Sequence, residues 1–331
     1  MDSRLTGRIV IALLILSLFV GFAILAKPSL ASDGGSSRAE RPALLPGASA
    51  QYPPDTVAVL EIFDAIGFSG NDDPLNLSRE DVLSWIDRLE SVEDNPNVRA
   101  VLIRVNSPGG TIAATQELYG EIQRLKAKGK KVTVAMEDIA ASGAYYISCA
   151  ADRIIANPGT LVGSIGVIIS SMDLTGLMQK VGLGYNVIKS GTNKDILSGY
   201  RKMTGEERAL LESVVMDSYD QFFGAVTNGR PITAADLRPI ADGRVFTGRQ
   251  ALKLGLVDEL GDFEHAVDVT AKLAGIPGKP NVENIHEPRM PLLRYLASSV
   301  SGLGHQRLEV KTAADRMFAR FSSPVLYLFA N

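Results

Sequence analysis

The chain has three histidines, His265, His286 and His305, and all of them lie beyond the most regular part of its pattern. None follows a buried strand. A Ser–His–Asp machine and a histidine metal site are therefore poorly supported. Neither an HExxH nor a P-loop motif occurs, and no cofactor or metal is implied. His265 falls on the face of an expected helix and reads as a structural or exposed residue. Nucleophilic chemistry would then rest on hydroxyls and lysines. Three Gly- and Ser-containing loops follow apolar runs: Asn106–Gly110, Ala140–Tyr145 and Val162–Gly166. The carboxyl ends of strands are where α/β proteins place their sites. Ser142 opens an apolar helical run, and taken alone it reads as an N-cap. As a nucleophile it would sit where amides at a helix start favour a developing oxyanion. Gly143 is the natural first donor, with Gly109 or Gly110 as the second. A neutral hydroxyl still needs a base. Lys194, in Ser190-Gly191-Thr192-Asn193-Lys194-Asp195, is the candidate. A lysine serves as a base only where a dry pocket lowers its pKa. A shift of about 3 units corresponds to roughly 4 kcal/mol. Taken alone, Lys194 reads as an exposed, salt-bridged lysine.

The elements around these loops alternate in type. Strands are expected at Val57–Ile62, Val98–Val105, Val132–Met136, Arg153–Ala156, Val167–Ser170 and Tyr185–Lys189. Helices are expected at Arg79–Leu89 with Ser78 as N-cap, at Thr111–Leu125, and from about Gly143 to Ala150. More follow at Leu174–Val181, Gly205–Val226 with Thr204 as N-cap, Gly248–Leu254 and Phe263–Leu273. Val98–Val105 is almost continuously apolar, as in a buried parallel strand. The alternation predicts an α/β domain with a largely parallel sheet. No solenoid repeat is present.

Four ordered motifs carry a family resemblance. They are Asn106-Ser107-Pro108-Gly109-Gly110, Ala141-Ser142-Gly143-Ala144-Tyr145-Tyr146-Ile147, Gly163-Ser164-Ile165-Gly166-Val167, and Ser190 to Asp195. Their order and spacing resemble the short form of the signal peptide peptidase A family over roughly residues 57–274. These are serine peptidases with a Ser–Lys dyad, on the fold shared by the Clp protease subunit and the crotonases. The resemblance implies Ser142 as nucleophile and Lys194 as general base. Ser164 would orient the lysine, and Gly143 and Gly109 would offer oxyanion amides. Ala144 departs from the Gly of many members but keeps the backbone N–H. The implied substrates are remnant signal peptides and other apolar peptides. In the two-copy family form the dyad comes from two halves of the chain, so the short form is expected to complete it between subunits of a ring. A crotonase-type acyl-CoA enzyme and a non-catalytic membrane scaffold are the alternative readings on this fold.

The 331 residues carry a formal net charge of −3. That length can bury a large core, and no basic patch with interleaved aromatics suggests nucleic acid. The single cysteine, Cys149, forbids an internal disulfide and reads as a small core residue. Ile9–Ala26 is uncharged and apolar. As a helix it would span roughly 27 Å, close to a bilayer core. An apolar region of this length favours an uncleaved signal anchor over a cleaved signal peptide, although Ser29-Leu30-Ala31 resembles a cleavage site. The expected organisation is a cytoplasmic flank (1–8), a transmembrane anchor (9–26) and a flexible linker (27–54). A peptidase domain (55–275) on the extracytoplasmic side and an extension (276–331) follow. The lipid bilayer is then an expected partner.

Overall fold

Val57, Ala58, Val59, Leu60 and Ile62 are all buried, so the first strand, β1 (Thr56–Phe63), is covered on both faces. Burial of both faces is the mark of a parallel sheet between helical layers. The computed structural model describes residues 52–68, 81–285 and 326–328. The expected anchor at 9–26 and the flank at 1–8 lie outside them, as do most of the linker and of the extension. Among the described residues, no helix is long and apolar enough to cross a membrane.

The elements after β1 are, in chain order, α1 (Val82–Glu93), β2 (Val98–Ser107), β3 (Gly109–Thr111), α2 (Ile112–Ala127), β4 (Lys131–Ala141), α3 (Gly143–Ser148), β5 (Arg153–Ala156), β6 (Leu161–Gly163), α4 (Thr175–Val181) and α5 (Gly205–Gly229). Then come α6 (Ala234–Leu237), β7 (Val245–Thr247), α7 (Gly248–Lys253), β8 (Glu259–Leu260), α8 (Phe263–Leu273), β9 (Asn281–Asn284) and β10 (Leu326–Leu328). The main sheet runs β7-β6-β4-β2-β1-β9, with β5 paired to β4 and β8 to β5. Every pair in it is parallel except β6–β7. A separate antiparallel ribbon joins β3 to β10.

Strand alternation divides the core between the two faces. Ala58, Leu60 and Ile62 pack with Trp85, Leu89, Leu118, Ile122 and Phe222 from α1, α2 and α5. Val57, Val59, Leu102, Ala135 and Ile155 pack with Ala266, Val267 and Ala271 of α8. Full burial stabilises by about 1.5–3 kcal/mol for each large apolar side chain. The α/β fold with a mostly parallel sheet is therefore as the alternation of elements implied.

Strand β4 is the element that builds the site. Thr133–Met136 pairs with β5, whereas Ile139–Ala141 pairs with β6. The strand changes neighbours midway, and side chains satisfy the backbone at the fork. The Thr160 hydroxyl donates to the Glu137 carbonyl at 2.6 Å, and the Asn106 side-chain oxygen accepts from the Ile139 N–H at 3.2 Å. The strand expected to end at Met136 thus runs on to Ala141, directly before Ser142.

Other expectations need correction. Helix α1 is capped by Asp81, whose carboxylate accepts from the Ser84 N–H at 3.0 Å; Ser78 lies outside the described residues. Val167–Ser170 and Tyr185–Lys189 form no strands. β7 already occupies the edge beside β6, and most of the stretch 166–204 is exposed, so beyond a single bridge at Ile168 strand-favouring side chains find no ladder there. Thr204 does cap α5, in a reciprocal box with Glu207.

Cys149 is buried, and desolvation pushes its thiol up to about 12. Thiolate is the reactive species. Iodoacetamide at about pH 8 should therefore leave native protein unmodified and label it fully in guanidinium chloride. Rapid labelling of native protein would contradict the packing described.

Candidate active site

Ser142 follows the last residue of β4 and precedes the first of α3. Its φ is 54° and its ψ −118°, a conformation that L-residues rarely adopt. Such backbone strain costs on the order of 1–3 kcal/mol and persists only where the surroundings enforce it. Here the enforcing bonds are visible. The Ser142 N–H donates to the Gly163 carbonyl at 2.8 Å, and the Ser142 carbonyl accepts from the Tyr146 N–H at 2.9 Å. Its side chain makes no capping bond. The hydroxyl is buried and has no hydrogen-bond partner among the described residues. The N-cap reading of Ser142 is therefore set aside: the fold strains this residue without using its side chain.

Strand register brings the motifs together. Ala141 pairs with Gly163, so the next positions, Ser142 and Ser164, sit side by side at the ends of β4 and β6. Parallel neighbours are spaced by about 5 Å. Ser164 is also buried and also has a positive φ, 51°. Its N–H donates to the Arg244 carbonyl at 2.8 Å. On the other flank Ser107 pairs with Ala140, which carries Gly109 and Gly110 to the same end of the sheet. The first-turn amides of a helix lack intrahelical acceptors, and Gly143 supplies one of them. The Gly109 N–H instead donates to the Ser107 hydroxyl at 3.2 Å. Ser107 is a residue that sequence reasoning passed over as part of a turn. A substrate oxygen at Gly109 has to compete with it.

The helix that follows Ser142 is packed into the core. The Tyr145 hydroxyl donates to the Leu256 carbonyl at 2.8 Å. The Tyr146 ring stands edge-on to Tyr119 and tilted to Phe222, each at a centroid distance of 5.1 Å. The Arg230–Asp258 pair, 2.9 Å apart, is almost wholly buried. Arg230 and the Ile154 N–H offset the burial that would raise the Asp258 carboxyl, so it stays below its ordinary range.

Lys194 is elsewhere. It is exposed, and its side chain makes no ion pair or hydrogen bond among the described residues. The segment around it is braced. Asp195 pairs with Lys189 and with Arg201, each at 2.7 Å, and Arg201 continues to Glu207 at the start of α5. Hydrogen bonds from Arg201 and then Lys189 hold the Asp195 carboxyl far below the usual carboxylate range. The structure thus brings together Ser142, Ser164, Gly143 and Gly109, and within one chain Lys194 hydrogen-bonds to none of them among the described residues.

A buried serine on strained backbone beside helix-start amides is the arrangement that nucleophilic acyl transfer calls for. Residues 124–277 match the model for peptidase family S49, and residues 76–160 match that for Clp protease. A Synechocystis sp. protein, slr0021, whose name describes it as a protease, is 44% identical over 230 residues, which cover 69% of this chain and 79% of its own. Protease 4 of Salmonella typhi is 33% identical over 228 residues, 68% of this chain but 36% of its own. The chloroplastic serine protease SPPA of Arabidopsis thaliana is 33% identical over 224 residues, 66% of this chain and 33% of its own. The chain therefore spans about a third of each of the latter two. It belongs to peptidase family S49, as the resemblance of its four motifs implied.

Proposed function

We propose that the chain is a membrane-anchored serine endopeptidase that cleaves apolar peptides, remnant signal peptides among them, with Ser142 as nucleophile and Lys194 as general base. The observation that carries this reading is the Ser142 hydroxyl, buried and unpartnered on strained backbone. Strain and an unmet polar group are kept where function requires them. The lysine takes the Ser142 proton as Oγ attacks the peptide carbonyl, and returns it to the leaving amine. The Gly143 and Gly109 amides face the oxyanion. Ser164, beside Ser142, accepts a hydrogen bond from the lysine and aims it.

Lys194 reaches this site from a neighbouring copy. Its segment is exposed and apolar: Met172, Leu177, Val181, Leu183, Tyr185 and Ile188 are all uncovered. Exposed apolar surface on this scale marks an interaction face, and a second chain would cover it. A head-to-tail contact repeats until it closes into a ring. The apolar run 9–26 holds the domain at the extracytoplasmic face of the membrane, beside apolar substrates.

The test joins labelling to a pH profile. A fluorophosphonate probe should modify Ser142 alone among the serines. Lys194→Arg should be inactive, since a guanidinium stays protonated at every working pH. Ser164→Ala should retain activity at about 1–10% and shift the pH midpoint of the rate. Probe adducts spread over several serines, or an active Lys194→Arg protein, would refute the mechanism.

A further inference from the structure

Strand β2 ends on Ser107, whose side chain is fully buried. A buried hydroxyl costs stability unless it finds a partner. Ser107 finds one two residues on: its Oγ accepts from the Gly109 N–H at 3.2 Å. Pro108, between them, has no N–H to offer. The hydroxyl also lies 3.4 Å from the Gly109 carbonyl oxygen, a contact that holds its proton only weakly. Ser107 and Ala140 are register partners, so their side chains share a face of the sheet. Ala140 stands two positions before Ser142. The hydroxyl is thus placed at the nucleophile's end of the sheet, against one of the two amides proposed above as oxyanion donors.

The Gly109 backbone does not fix its own direction. Its φ of 111° is one that glycine adopts freely but does not enforce. The Ile66 N–H donates to the Gly109 carbonyl at 2.8 Å, which holds the peptide that follows Gly109. The peptide that precedes it, Pro108–Gly109, is planar and turns as a unit. Among the described residues, Ser107 is what holds its N–H. Were that peptide to turn over, the Pro108 carbonyl would stand where the N–H had been. A carbonyl oxygen there would repel a developing oxyanion instead of stabilising it.

We infer that Ser107 is a positioning residue of the oxyanion hole: its hydroxyl keeps the Pro108–Gly109 peptide turned so that the Gly109 N–H stays available to the substrate oxyanion. The inference rests on the peptidase reading of this site. At 3.2 Å the bond to Ser107 is at the long end for N–H···O. An N–H can serve two acceptors at once, and a charged acceptor makes the stronger bond. The oxyanion therefore draws on the Gly109 N–H as it forms, while Ser107 continues to set the peptide's direction. A neutral substrate carbonyl competes less well with the hydroxyl, so the interaction grows from the ground state to the transition state. Such an interaction raises kcat more than it lowers KM.

The experiment compares the full chain carrying Ser107→Ala with the unaltered protein. Alanine removes one buried oxygen and keeps the packing of the strand. The Gly109 amide should exchange its hydrogen at least about tenfold faster in the variant. For a fluorogenic apolar peptide, kcat should fall roughly 10–100-fold, short of the full loss of an oxyanion donor, and KM should change by less than about twofold. A peptide boronic acid forms a tetrahedral adduct with the Ser142 Oγ that imitates the oxyanion. It should bind Ser107→Ala more weakly by the factor by which kcat/KM falls. A serine that served the fold alone would lower stability and leave that affinity unmoved. Unchanged Gly109 exchange, an unchanged or raised kcat, a loss confined to KM, or equal boronate affinity would overturn the inference. The boronate also separates the two readings. Adduct in the unaltered protein with equal affinity in Ser107→Ala sinks the inference alone, whereas no adduct at Ser142 in the unaltered protein sinks the peptidase reading and this inference with it.

Discussion

Ser142→Ala is expected to abolish peptide hydrolysis and, in the same protein, to raise stability. Loss of a nucleophile that works as a unit with its base lowers kcat by about 10⁴-fold or more. The stability gain follows from what the hydroxyl lacks. A buried polar atom without a partner costs about 1–3 kcal/mol relative to its solvated state, and Ser142 Oγ is such an atom among the described residues. Alanine removes it and leaves the backbone bonds to Gly163 and Tyr146 in place. For a domain of this size, 1 kcal/mol corresponds to a rise of about 2–4 °C in melting temperature. Ser142→Gly should gain more, because glycine adopts a φ of 54° freely. Gain of stability with loss of function is the signature of a residue kept for chemistry. Calorimetry of the two variants beside a peptide assay decides the point. A less stable Ser142→Ala protein would mean that the hydroxyl supports the fold.

The sequence disclosed the motifs more fully than the backbone that arms them. Val98–Val105 and Arg153–Ala156 were legible as strands because short unbroken apolar runs, Ala100–Ile103 and Ile154–Ala156, are buried on both faces. Phe263–Leu273 was legible because its apolar residues recur at helical spacing. The fork in β4 was not. Glu137 and Asp138 break the apolar run, and the strand continues through them because Asn106 and Thr160, distant in sequence, satisfy its backbone. The positive φ of Ser142 and Ser164 was hidden for a similar reason. Local propensity argues against it, and neighbouring strands impose it. In the opposite direction, Val167–Ser170 and Tyr185–Lys189 have strand-like composition but no edge to join. The pairing of Leu326–Leu328 with β3 is a long-range contact, and no local pattern encodes it.

Mixing two inactive proteins is expected to restore activity. Ser142 sits in the rigid body of the domain without a base beside it, whereas Lys194 stands exposed on a segment braced by Asp195, Arg201 and Glu207. The bracing keeps that segment in shape before any neighbour arrives, so the lysine is presented rather than folded back. A Lys194→Ala chain still carries an intact Ser142. A Ser142→Ala chain still carries an intact Lys194. Refolded separately, each should be inactive. Refolded together in equal amounts, a junction is complete when the first kind of chain precedes the second. Random mixing gives this for roughly one quarter of junctions. Activity should therefore reach about a quarter of the unaltered level and follow the product of the two fractions as the ratio is varied. The pH profile of the rate should be the same in mixed and unaltered assemblies, because each completed junction holds the same pair of residues. Mixed assemblies verified by mass that show no recovery would place both residues in one subunit, and the proposed exchange between neighbours would be wrong.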